Sequence, residues 1–117
     1  MFARELLSVL GPGGALAVTG SIAATFTAAG TTQATATAIT CVNTYVTTAT
    51  EGQGAVLPAS MQASDCCTVC NSTSVNIYVY PPSGGQLNGA TANRPIVIGP
   101  QLAVSFTCVD GTDWIAC

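Results

Sequence analysis

The chain has 117 residues, which is room for one domain around one core. Only Arg4 and Arg94 are basic, against carboxylates at Glu5, Glu51, Asp65, Asp110 and Asp113, and the sequence contains neither histidine nor lysine. A chain so poor in cations cannot neutralise a row of phosphates or hold a basic face against an anionic membrane, so neither partner is expected; imidazole bases, Schiff-base lysines and lysine-bearing phosphate loops are excluded as well.

Met1 to Leu10, MFARELLSVL, places Phe2, Leu6, Val9 and Leu10 along one side of a helical pattern, which the GPGG of Gly11 to Gly14 ends. About ten residues are too few for an isolated helix in water. The segment reads as a frayed terminus or a cap on the domain's own core, as a docking arm, or as a short secretory signal that GPGG interrupts. In the docking reading Phe2, Leu6, Leu7 and Leu10 make the contact. We divide the chain into an arm, residues 1–14, and a single β domain, residues 15–117.

From Ala15 to Thr50 the text favours strands. ALAVTGSIAATF gives two apolar pieces about Gly20, and Thr alternates with Ala from Thr35 to Ala38, continued by Ile39, Val42, Tyr45 and Val46. TEGQGAVLPAS reads as a turn and a short edge element closed by Pro58, and SDCCTVCNSTS as a loop or short strand. Val75, Ile77 and Val79 then share one face, with Tyr78 and Tyr80 on the other, until Pro81 and Pro82 stop the strand. SGGQLNGATAN carries Gly-Gly and Asn-Gly, both suited to positive φ. RPIVIG is a strand, PQ a turn, and LAVSFTCV a strand with Leu102, Val104, Phe106 and Cys108 on one side. DGT signals a hairpin returning through DWIAC. Strands repeating every 8–12 residues or so predict an all-β fold, an antiparallel β-sandwich (jelly-roll-like) or a barrel. No apolar run approaches the roughly 18 residues of a spanning helix. So little charge suits a protein that lives inside a large assembly.

VLPAS, NIYVYPPSGGQLNGATAN and SFTCVDGTDW, preceded by TAAGTTQATATAIT, together resemble a recurring pattern in small β-domains of tailed-bacteriophage virions, found in capsid decoration proteins and in head or tail fibres. The likeness runs from about Thr27 to Cys117. It implies a structural virion protein, often a homotrimer, whose partners are its own copies and the major capsid protein or other virion proteins, at the capsid surface. The six cysteines and the apolar arm depart from that pattern, leaving attachment and crosslinking open.

The cysteines stand at Cys41, Cys66, Cys67, Cys70, Cys108 and Cys117; six allow about 15 pairings. Cys66 and Cys67 are chain neighbours whose mutual bond would be strained. A tight turn at Asp110-Gly111 would set Cys108 opposite Asp113 and leave Cys117 roughly 13 Å along the ladder from it, beyond disulfide reach. Cys117 and the Cys66, Cys67 and Cys70 group are read as able to reach a neighbouring molecule, so a bond between subunits is expected, against wholly intrachain bonds, buried thiols or zinc. Cys-Cys-x-x-Cys has no second spaced pair and no histidine, which makes zinc the weakest of these.

Two other functions follow from particular residues. Trp114, Tyr78 and Tyr80 would offer flat faces to sugars in a host-surface glycan-binding fibre module, with Asp110, Asp113 and Asn93 donating or accepting; the simpler role for Trp114 is core or subunit interface. Asp110 and Asp113 would have to serve as a glycosidase pair, but a turn explains Asp110 better. No enzyme activity and no cofactor are expected. Asn71-Ser72-Thr73 matches a glycosylation acceptor, a triplet common by chance.

Overall fold

The computed structural model describes residues 19–59 and 61–116, so the arm with Phe2, Leu6, Leu7 and Leu10, and the terminal Cys117, lie outside the described residues. The described chain is all-β. Its strands are β1 (Thr19–Thr27), β2 (Thr37–Ala38), β3 (Cys41–Thr48), β4 (Gly54–Val56), β5 (Cys66–Asn71), β6 (Ile77–Tyr80), β7 (Ile96–Ile98), β8 (Leu102–Cys108) and β9 (Trp114–Ala116). They form a five-stranded sheet in the order β1-β3-β5-β8-β9 and a four-stranded sheet in the order β2-β4-β6-β7.

Neither sheet closes into a barrel, and neither is antiparallel throughout. β1–β3, β3–β5, β2–β4 and β4–β6 are parallel; β5–β8, β8–β9 and β6–β7 are antiparallel. The reason is topological. Through β6 the chain changes sheet after every strand, so it re-enters each sheet in the same direction and lies parallel to the strand it left. Only after β6 does it stay in one sheet, where a loop over residues 81–95 returns it as β7. β4 therefore sits between β2 and β6 instead of at an edge, and Pro58 falls beyond the strand's end, where no ladder donor is missing.

Local patterning agrees more closely with the structure. Ile77 and Val79 are buried, Pro81 follows the last residue of β6, and β8 turns Phe106 and Cys108 inward. β1 runs straight through Gly20, and of the Thr-Ala alternation only Thr37 and Ala38 form a strand. The preceding residues turn instead, held by a 2.8 Å bond between the Thr32 and Thr35 hydroxyls.

Both sheets feed one core. Val46, Val69, Phe106 and Trp114 come from the larger sheet, Ala55, Ile77, Val79 and Ile98 from the smaller, and Ala28, Ile39, Leu57, Met61 and Leu87 from the connections. Burying each large side chain contributes about 1.5–3 kcal/mol, before the cost of ordering the chain. Asn71, fully buried at the end of β5, joins the sheets by hydrogen bonds. Its Nδ2 donates to the carbonyls of Val75 (2.8 Å), Ile98 (3.1 Å) and Gly99 (3.0 Å), while Oδ1 accepts from the Thr73 amide (3.0 Å) and hydroxyl (2.7 Å). An amide so engaged is not open to a glycosyl transferase in the folded chain.

Candidate functional site

Two regions hold many of the residues singled out from the sequence, the loop over residues 81–95 with the β8–β9 connection and the outward side of the five-stranded sheet, while Tyr78 and Tyr80 lie in β6 and Cys67 and Cys108 in the core.

The loop is built by backbone conformation. Asn88 (φ 55°) and Gly89 (φ 72°) occupy the centre of a primed turn that the Ala90 amide closes onto the Leu87 carbonyl at 3.0 Å. Gly84 has φ 82°, where side chains are disfavoured, whereas Gly85 is required for space: a Cβ there would collide with the Thr112 carbonyl oxygen. The loop thus lies directly against the β8–β9 connection and continues along β9. The Trp114 amide donates to the Gln86 carbonyl and the Asn88 amide to the Trp114 carbonyl, both at 2.9 Å. The Asn88 side chain accepts from the Ala116 amide (2.8 Å), Asp113 Oδ1 from the Gln86 amide (3.0 Å), and Asn93 Oδ1 from the Gly84 amide (2.7 Å). Asn88 thereby acts over a longer range than the local bonding its sequence context suggests.

Asp110 and Asp113 come together in this connection, but as builders. Asp110 Oδ1 accepts from the Asp113 amide (2.9 Å) and the Thr112 amide (3.3 Å). Those two N–H donors hold its carboxyl below the usual aspartate range. The connection also runs longer than a tight Asp-Gly turn. Cys108 faces Trp114 rather than Asp113, because the Asp110 bonds and the Gly111 amide, which donates to Cys108 Sγ at 3.1 Å, draw Val109 to Asp113 into a loop.

The aromatic candidates separate. Trp114 is 1% exposed and has no face to offer. Tyr80 is buried, its hydroxyl donating to the Thr31 carbonyl at 3.2 Å, and burial raises its phenol, helped by Tyr78. Tyr78 is half-buried, its ring 6.5 Å from that of Tyr80. Tyr45, which sequence periodicity marked only as part of a strand, is 44% exposed.

The thiols separate too. Cys66, Cys67 and Cys70 stand in β5, not in a loop, and the strand's period sends alternate residues to opposite sides. Cys67 is fully buried, and its thiol is pushed up to about 12, chiefly by burial and further by Cys66, Asp65 and Cys108. Cys108 is buried as well, raised first by burial, and its thiol donates to the Met61 carbonyl at 3.7 Å. Neither can reach another molecule. Cys66 is exposed and Cys70 and Cys41 are half-buried on the outward side; no disulfide forms among the described residues. Nor does any group of three or more Cys, Asp or Glu side chains there gather closely enough to hold a metal ion.

Comparison with protein-family models gives no match to this chain, and comparison with curated proteins gives none either.

Proposed function

We propose that this chain is a structural virion protein, a tailed-bacteriophage capsid decoration protein that binds the outer capsid surface as an oligomer, a homotrimer in the pattern it resembles. Its two sheets stack face to face as a β-sandwich around the shared core. The observation that carries this reading is the fate of the polar groups in the loop and the β8–β9 connection: Asn88, Asn93, Asp110 and Asp113 bind backbone amides and converge on no substrate position. A surface built this way bears load and presents shape; it does not perform chemistry. The exposed Cys66 thiol supports crosslinking between subunits once the particle leaves a reducing cytosol. Such links oppose dissociation by restricting the separated chains.

The host-glycan reading loses Trp114 and Tyr80 as binding faces, since both are buried. The test is to add the purified chain to particles that lack it and measure bound copies per particle, with and without residues 1–10. Saturable binding of the full chain, reduced by the deletion, is the expected result. Full occupancy without residues 1–10 would remove the arm from the account, and no binding to any particle surface would remove the decoration role.

A further inference from the structure

The outward side of the five-stranded sheet carries rows of aligned, uncharged residues. The register aligns Tyr45, Cys70 and Ala103 across β3, β5 and β8, and beside them Asn43, Thr68 and Ser105. A third row joins Cys66, Thr107 and Ile115 across β5, β8 and β9. None of these residues is charged. The described charges, Glu51, Asp65, Arg94, Asp110 and Asp113, all lie in connections outside the strands.

Three physical features make this side a surface meant to be covered. Large apolar groups stand open on it, Tyr45 and Ile115 each 44% exposed. Cysteine, among the most buried residue types, appears here as an exposed Cys66 and a half-buried Cys70. The polar groups between them are already paired sideways, Thr68 with Ser105 at 3.2 Å and Cys66 with Thr107 at 3.6 Å. Each pair meets part of its own hydrogen-bonding capacity, which lessens the penalty of burial.

We infer that this sheet face is where copies of the chain meet, each turning it toward a common axis. The inference rests on the oligomeric reading above and names its surface. Its occupant is a second copy because a face without charge meets its own equivalent with no like-charge contact, although the chain carries a net charge of −3. A charged partner would find nothing here to pair with. The interface would also bring Cys66 of one copy among the thiols of another.

Native mass measurement under reductant tests this with Thr68→Glu and Ser105→Glu on the proposed face and Val97→Glu on the four-stranded sheet, where Val97 is 51% exposed. The wild type and Val97→Glu are expected to assemble alike, and the other two to remain folded by circular dichroism yet dissociate about 100-fold more readily. Assembly undiminished in both face variants, or lost in Val97→Glu alone, would place the interface elsewhere and leave the oligomeric reading standing. A monomeric wild type would overturn that reading itself. Maleimide labelling of the wild type, mapped by peptide, decides the matter should the face variants fail to fold: Cys66 protected in the assembly and labelled on dilution is expected, and full labelling of Cys66 in the assembly would sink the inference.

Discussion

The loop over residues 81–95 and the outward side of the five-stranded sheet are both solvent-facing and both rich in small polar residues, yet their chemistry is directed oppositely. In the loop and the β8–β9 connection, the asparagines and aspartates described above accept from backbone amides, Asn88 and Asp113 across segments, Asn93 and Asp110 within their own. On the sheet, hydroxyls and thiols pair with flat neighbours across strands and leave tyrosine and isoleucine open. The contrast separates two uses of polar side chains: turned onto backbone amides they build architecture, and paired across strands they leave a flat face for the contact proposed above.

If that contrast holds, loop and core-junction substitutions change stability, whereas sheet-face substitutions change assembly. The largest stability effect belongs to Asn71→Ala. It strips partners from the Ile98 carbonyl of the four-stranded sheet, from the neighbouring Gly99 carbonyl and from the Thr73 amide, each costing about 1–3 kcal/mol when left unmatched. A loss of about 3 kcal/mol or more in urea unfolding is expected; a loss under about 1 kcal/mol would mean that the sheets are joined by packing alone. Gly85→Ala comes next, at about 2–3 kcal/mol, because the added Cβ meets a backbone carbonyl that cannot swing aside. Gly84→Ala, at φ 82° with open space around it, should cost only about 1 kcal/mol. Equal effects at the two glycines would show that the loop does not bear on the β8–β9 connection.

Asn88→Ala should cost about 1–2 kcal/mol, since it removes the acceptor for the Ala116 amide and places alanine at φ 55°. Asn88→Gly keeps the turn and isolates the hydrogen bond, so it should cost less. Thermal unfolding of the pair separates the two contributions. Ser105→Ala on the sheet face should stay within about 0.5 kcal/mol of wild type.

Most strand positions and the Asn88-Gly89 turn were legible because both signals are local. Asn88-Gly89 and the double proline after Tyr80 announce their conformations in any context. Strand direction was not legible, because the signals that end a strand are the same whether the chain reverses beside it or crosses to the other sheet. The Gly84-Gly85 pair shows a second limit: identical letters, one serving dihedral freedom and the other a close approach made by a residue far along the chain. Asn71 shows a third. Its triplet suggested modification, while its partners near Ile98 lie in a different sheet. The CCTVC segment reads as either a loop or a short strand, because a buried asparagine breaks the apolar alternation of Cys67 and Val69, and the structure makes it a strand. Once the strand is seen, the same alternation decides which thiols face out.

That division of the thiols gives the subtlest prediction, negligible at neutral pH and growing above it. Cys67 keeps its proton in the folded chain up to about 12, against 9.0 for the ordinary thiol, mainly through burial. Between those limits the unfolded chain has released a proton that the folded chain still holds, so the unfolded state binds fewer protons and unfolding free energy falls as pH rises. The contribution is therefore fully present below pH 9 and is withdrawn progressively toward 12. Cys108 and Tyr80, raised by burial too, act in the same direction. Urea midpoints measured under reductant from neutral to alkaline pH should decline. Cys67→Ala should start about 1 kcal/mol lower from lost packing yet decline less steeply. Cys66→Ser should decline slightly less steeply than wild type, because it removes the smaller contribution of Cys66 to the raised Cys67 thiol, and a slope as shallow as that of Cys67→Ala would mean that burial is not the main cause.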